Sequence, residues 1–145
     1  DFVQYVFGMP KAVQSFGVKG PTNDFDHIIT HYIYDDEKVV TAEGGWLMAP
    51  GFGFEMSFNI ILDKATIVFD CTRKPAFRLC PEQGEAFTPE VEAGDGYSLE
   101  IAYFVKVITG ESVSEIITPE QSKNSVKLIQ AEKKSASSGN KIFLK

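Results

Sequence analysis

The sequence predicts an α+β fold in which an open, largely antiparallel or mixed β-sheet carries helices on one face. Three observations lead there. About six strand-like segments follow one another between residues 11 and 81 before any long helical pattern appears, and two amphipathic helices then come together near the end of the chain. The strand segments are joined by short turn signals rather than by crossover helices, which favours antiparallel pairing. The 145 residues are 43% hydrophobic and 23% charged, enough to bury one core without disulfides or metal, so a single domain over residues 1–145 is expected.

The elements follow in chain order. "DFVQYVF" opens as a short helix, with Phe2, Val3, Val6 and Phe7 on one stripe and Gly8 and Pro10 as stop signals. "KAVQSFGV" reads as a strand ending near Gly17, and "GPTND" as a turn cluster. "DHIITHYIYDDEKVVTAEGGWLMAP" reads as a hairpin around the acidic tip Asp35, Asp36 and Glu37. Its first arm places Ile29 and Ile33 on one face and Ile28, Tyr32 and Tyr34 on the other, so that strand is expected to be covered on both sides. After "PGFGF", the segment "FEMSFNIILDKATIVFD" makes a second hairpin turning at Asp63 and Lys64, and "RKPAFRLCPE" adds a short strand. "EQGEAFTPEVEAGDG" has turn formers and acids without periodicity and reads as a surface loop.

Two helices and a last strand complete the chain. In "GDGYSLEIAYFVKVITGES" the stripe Tyr97, Ile101, Phe104, Val105 and Ile108 is the expected buried face, with Asp95 or Ser98 as the cap and Gly110 at the C-terminal end. In "TPEQSKNSVKLIQAEKKSASSGNKIFLK", Thr118 is the N-cap, Pro119 takes the first helical position, and Gln121 completes a capping box. Val126, Ile129 and Ala136 give that helix its expected apolar face, Lys133 and Lys134 suit its C-terminal end, and Gly139 ends it before the strand "KIFLK". If helices cover one sheet face, the apolar residues of the other face call for a partner, and self-association is the expected solution.

Chemistry-bearing motifs are few. A net charge of −6 disfavours nucleic acid or an anionic membrane as partner, and the longest apolar run, Ile60 to Leu62 with its neighbours, is too short to span a bilayer. His27 and His31 share a strand face about 13 Å apart, too far for one metal ion. "GFG" has no following helix and no Lys-Ser/Thr pair, and "GDGYSLE" carries acids where a phosphate would sit, so neither is a nucleotide loop. Cys71 and Cys80 fit either a hairpin disulfide or two reduced thiols, and a chain this long favours the thiols. Trp46, beside a glycine-rich loop, suits a sugar-pocket wall, although a lone Trp is more often a core residue. No complete catalytic set is present, so the residues by themselves read as a binding or assembly domain, the alternative being a non-catalytic small-ligand-binding or scaffold module.

Four stretches, "DFVQYVFGMPKAVQSFG", "TAEGGWLMAP", "FNIILDKATIVFD" and "GYSLEIAYFVKVITGESVSEIITPEQSKNSVKLIQAEKKSASSGNKIFL", resemble in order the C-terminal domain of the Gfo/Idh/MocA oxidoreductases, the family of glucose-fructose oxidoreductase and inositol dehydrogenase. Leu62 and Ala65 depart from the glycines usual in that family's hairpin. The resemblance implies a glyceraldehyde-3-phosphate dehydrogenase-like C-terminal domain, a substrate-pocket and oligomerisation fragment of an NAD(P)-dependent enzyme acting on a sugar, polyol or related alcohol. It implies an N-terminal Rossmann domain as partner, NAD or NADP held by that domain and none by this fragment, a homo-oligomer formed through the open sheet, and a cytoplasmic location. The family's catalytic lysine and histidine have no matching positions here, so no catalytic residue is carried over and the fragment alone is expected to be inactive. Asp1 matches the acid that follows that histidine, and Asp1, Trp46 and Tyr97 are the substrate-pocket candidates.

Overall fold

The computed structural model describes residues 1–111 and 116–144. Their order is α1 (Phe2–Phe7), β1 (Ala12–Lys19), β2 (Phe25–Ile33), β3 (Val40–Gly45), a 3-10 turn (Pro50–Phe52), β4 (Ser57–Leu62), β5 (Ala65–Asp70), β6 (Phe77–Pro81), α2 (Gly96–Ile108), α3 (Pro119–Ser138) and β7 (Ile142–Phe143). The strands divide into two antiparallel sheets, β3-β2-β1-β7 and β4-β5-β6. Two compact units result, one built from Asp1–Ala49 with α3 and β7, the other from the intervening segment that begins at Pro50.

In the first unit α3 lies against the inner face of the four-stranded sheet. Val13, Tyr32, Val40, Leu128 and Ala131 form the buried core, and Val3, Phe7, Met9, Ile142 and Leu144 pack around it. Alternation along the strands produces this face: Val13 and Ser15 on β1, and Thr30 and Tyr32 on β2, point at the helix. The register Val13↔Tyr32 and Ser15↔Thr30 sets them side by side. β1 runs two residues beyond its expected end at Gly17.

Polar contacts hold the helix to the sheet. The buried Ser135 hydroxyl accepts from the Ser15 amide at 2.9 Å and donates to the Asn140 carbonyl at 2.7 Å, and the Ser15 and Thr30 hydroxyls bond to each other at 2.8 Å. At the other end, the Gln4 amide donates to Ser125 Oγ at 2.8 Å and to the Gln121 carbonyl at 3.0 Å, tying α1 to α3. The inward face of α3 is therefore Ser125, Leu128, Ala131 and Ser135. The expected face of Val126, Ile129 and Ala136 is corrected: Val126 and Ile129 are exposed, because small serines let the helix approach closely with their own side turned inward. The caps agree with the sequence. Thr118 and Gln121 exchange their capping-box bonds at 3.1 and 2.7 Å, and Gly139 ends the helix at φ 72°.

The expectation that β2 is covered on both sides holds for one side only. Its outer face, with Ile29 and His31, stays exposed, as do Phe16 and Val18 of β1 and Phe143 of β7.

In the second unit, β4 and β5 turn at Asp63–Lys64 with Leu62 paired to Ala65. Asn23 is the one non-glycine residue with positive φ among the described residues, so this turn forms without a left-handed residue, and the glycines absent at Leu62 and Ala65 are not needed for it. Phe58 and Phe69 stack at 5.4 Å across the pair. Asp95 caps α2 in a box with Ser98. The expected burial of the α2 stripe is corrected: no α2 residue is buried, and Ile101 and Phe104 are 64% and 61% exposed. Periodicity marks an apolar stripe but not what lies over it.

Two substitutions test these placements by urea unfolding. Ser135→Ala is expected to cost about 1–3 kcal/mol, because it strips partners from a buried amide and a carbonyl. Ile101→Ala is expected to change stability by less than about 1 kcal/mol, and a larger loss would refute its exposure.

Candidate functional site

A cleft of about 340 Å³ lies in the first unit where the β1–β2 loop, the end of β3 and the exposed side of α3 meet. Trp46 follows β3, and its amide donates to the Asp26 carbonyl at 2.7 Å, which continues the β2–β3 pairing by one step. Close approach explains two nearby glycines, Gly20 beside the cleft and Gly45 on the opposite face of the sheet. A Cβ on Gly45 would stand 2.3 Å from His27 Nδ1, and one on Gly20 would stand 2.7 Å from Asp26 Oδ2.

Asp26 is nearly fully buried and locks the loop. It accepts from the Thr22 amide at 3.0 Å and the Thr22 hydroxyl at 2.7 Å, and these bonds hold its carboxyl below the usual aspartate range. Asp24 pairs with Lys133 and accepts from the Phe25 amide at 2.9 Å, which lowers its carboxyl as well. Glu132 behaves in the opposite sense: burial pushes its carboxyl up, although the Tyr32 hydroxyl donates to it at 2.7 Å. Burial and that neighbouring carboxylate in turn raise the Tyr32 phenol. Phe25, Ile28 and Ile129 supply apolar wall, and the Trp46 indole is 88% exposed. An exposed flat aromatic beside charged and hydroxyl groups offers a stacking surface and hydrogen-bonding edges, the combination that suits a polyhydroxylated ring.

The sequence candidates fall in separate places. Trp46 lies in the cleft and is not a core residue, which corrects the commoner reading of a lone Trp. Asp1 is exposed at the start of α1, makes no side-chain cap, and does not line the cleft. Tyr97, 81% exposed, opens α2 in the second unit. Asp24, Glu132 and Lys133 were not legible as site residues, since the first sits in a turn cluster and the others read as the solvated side and C-terminal end of a helix.

Other groups carry less. A wider hollow of about 550 Å³ at the β2–β3 tip is lined by charges already paired, Lys11 with Asp35 at 2.6 Å and Lys38 with Asp36 at 2.8 Å. His27 Nε2 stands 3.1 Å from Glu43, and no group of three metal-ligating side chains exists among the described residues. Both cysteines are free; the β5–β6 register sets Cys80 opposite Thr66, about 17 Å along the strand from Cys71. Among the described residues no helix is long and apolar enough to cross a membrane.

Among the described residues, neither glycine motif has the geometry of a nucleotide loop. The Gly51–Gly53 turn leads into a strand, and at the α2 N-terminus the Asp95 carboxylate already takes the Ser98 amide.

No family model matches the chain, and no curated protein matches its sequence. Solved structures do match. The WlbA dehydrogenase from Bordetella pertussis, in complex with NADH and UDP-GlcNAcA, superposes with a TM-score of 0.74 at 16% identity over 99% of this chain and 42% of its own. Levoglucosan dehydrogenase in complex with NADH and levoglucosan superposes at 0.73 and 19% identity over 99% of this chain and 47% of its own. The chain thus spans less than half the length of these dehydrogenases. Its α+β fold with antiparallel sheets is that of the C-terminal domain of Gfo/Idh/MocA-type oxidoreductases.

The raised Glu132 carboxyl yields a pH prediction. The folded state holds this proton more tightly than the unfolded chain, so its contribution is full below the ordinary value of 4.5 and is lost as pH rises through the raised one. Glu132→Gln is therefore expected to gain stability relative to the parent chain as pH rises from about 4 to about 7; a constant difference in thermal unfolding would contradict it. Trp46, as the one tryptophan, should fluoresce as a solvent-exposed indole and be quenched freely by iodide.

Proposed function

We propose that this chain is the substrate-pocket and assembly part of an NAD(P)-dependent oxidoreductase acting on a sugar, polyol or related alcohol. The observation that carries the reading is the fold match, which takes in 99% of this chain and only 42% of a dehydrogenase. In this reading a Rossmann domain elsewhere in the complete protein binds the nicotinamide, which supplies hydride transfer when bound. Trp46 stacks against the substrate ring, while the Asp24–Lys133 pair and Glu132 bond its hydroxyls. Orientation is the contribution of these side chains, because hydride transfer needs the donor and acceptor carbons held in contact. Assembly uses the exposed sheet face around Phe16, Val18, Ile29 and Phe143.

The test is an assay of the complete gene product with NAD and NADP against a panel of pyranoses and polyols. Turnover of at least one is expected, with Trp46→Ala raising KM about tenfold, or about 1.4 kcal/mol of binding, at little changed kcat. Cofactor binding without turnover of any of them would overturn the substrate class, and failure to bind either nucleotide would overturn the oxidoreductase reading.

A further inference from the structure

Asp24, Asp26 and Glu132 all line the cleft, and their hydrogen bonds set them apart. Asp26 uses both oxygens on Thr22, Oδ2 for its amide and Oδ1 for its hydroxyl. Asp24 uses Oδ2 for the Lys133 ammonium and Oδ1 for the Phe25 amide. Glu132 is different. Its Oε1 takes the Tyr32 hydroxyl at 2.7 Å, and Oε2 receives no hydrogen bond from the described residues. Among those residues no buried side-chain nitrogen or oxygen lacks a bond, and Glu132 is half-buried, so Oε2 opens to solvent. Beside the Ile28 and Ile129 wall, it is the carboxyl oxygen left for a ligand to meet.

The group that holds Glu132 from behind is rigid. Tyr32 stands on the central strand β2, 7% exposed, and packs in the core with Val13, Val40, Leu128 and Ala131. A ring so enclosed does not follow a moving partner. Burial and the neighbouring carboxylate raise the phenol above the usual tyrosine range, so it keeps its proton and stays a donor. A glutamate side chain is long and flexible, and anchoring Oε1 removes much of that freedom before any ligand arrives.

We propose that Tyr32 is a positioning residue, whose hydroxyl holds Glu132 Oε1 and thereby presents Oε2 to one hydroxyl of the substrate ring. The assignment rests on the pocket reading above. It makes the core of the first unit, and not only the cleft surface, a determinant of which ring hydroxyl is recognised. An acceptor fixed in this way rejects a ring that lacks the matching donor, because the oxygen then loses water without gaining a partner.

Isothermal titration calorimetry of the complete gene product with D-glucose and its singly deoxygenated derivatives tests this, with circular dichroism to confirm each variant's fold. The wild type is expected to bind glucose about tenfold more tightly than one derivative, the one lacking the hydroxyl that Oε2 accepts. In Tyr32→Phe that preference should shrink to roughly twofold or less, while the other derivatives keep their ratios to glucose. A merely structural role would weaken glucose and every derivative by one common factor. That outcome, a Tyr32→Phe protein with the full preference, or a wild type indifferent to every deoxygenation overturns the assignment and leaves the pocket standing. Should Tyr32→Phe fail to fold, Glu132→Asp, which draws the carboxyl back from Tyr32, must lose the same preference, and its retention overturns the assignment. Absence of binding, or binding that Trp46→Ala leaves unchanged, overturns the pocket reading and the assignment with it.

Discussion

The contact on which the first unit depends is the bond between the Ser15 amide and the Ser135 hydroxyl, with Thr30 and the Asn140 carbonyl completing the chain of donors and acceptors. No single bond here is strong, but each group is buried, so a missing partner costs more than a present one contributes. Serine and alanine side chains also allow α3 to lie close over β1. That closeness fixes the helix rotation: once Ser135 and Ser125 point inward, Val126 and Ile129 must point out, and Glu132 must fall under the Tyr32 hydroxyl.

The cleft follows from the same rotation. With α3 set this way, Lys133 reaches Asp24 in the β1–β2 loop, and Ile129 becomes a wall opposite Phe25 and Ile28. Asp26 ties the β1–β2 loop to itself through Thr22, and Gly20 leaves room beside the Asp26 carboxylate and Leu47. A rigid floor and an exposed indole are a useful pairing for a ligand that needs orientation, since little ordering remains to be done on binding.

Exposed apolar surface is the second theme. The outer sheet face, the α2 stripe and the edge residues Ile61 and Leu62 show more hydrophobic surface than an ordinary monomer leaves to water.

The sequence by itself determined the local structure. The Thr118–Gln121 box, the Asp95 cap and the Gly139 stop were legible because each is set by residues within four or five positions of one another, and both hairpins because a turn signal separates two strand-like runs. The grouping of strands and helices gave the α+β class, and Trp46 was picked out as a wall candidate by its place beside a glycine-rich loop. Tertiary structure decided the rest: the division of the strands into two sheets, which face of α3 is buried, that α2 buries nothing, and that Asp24, Glu132 and Lys133 share a cleft with Trp46. The reason is range. The Ser15–Ser135 and Tyr32–Glu132 bonds join residues 120 and 100 positions apart, and buried serines carry no hydrophobic period by which a sequence could announce them.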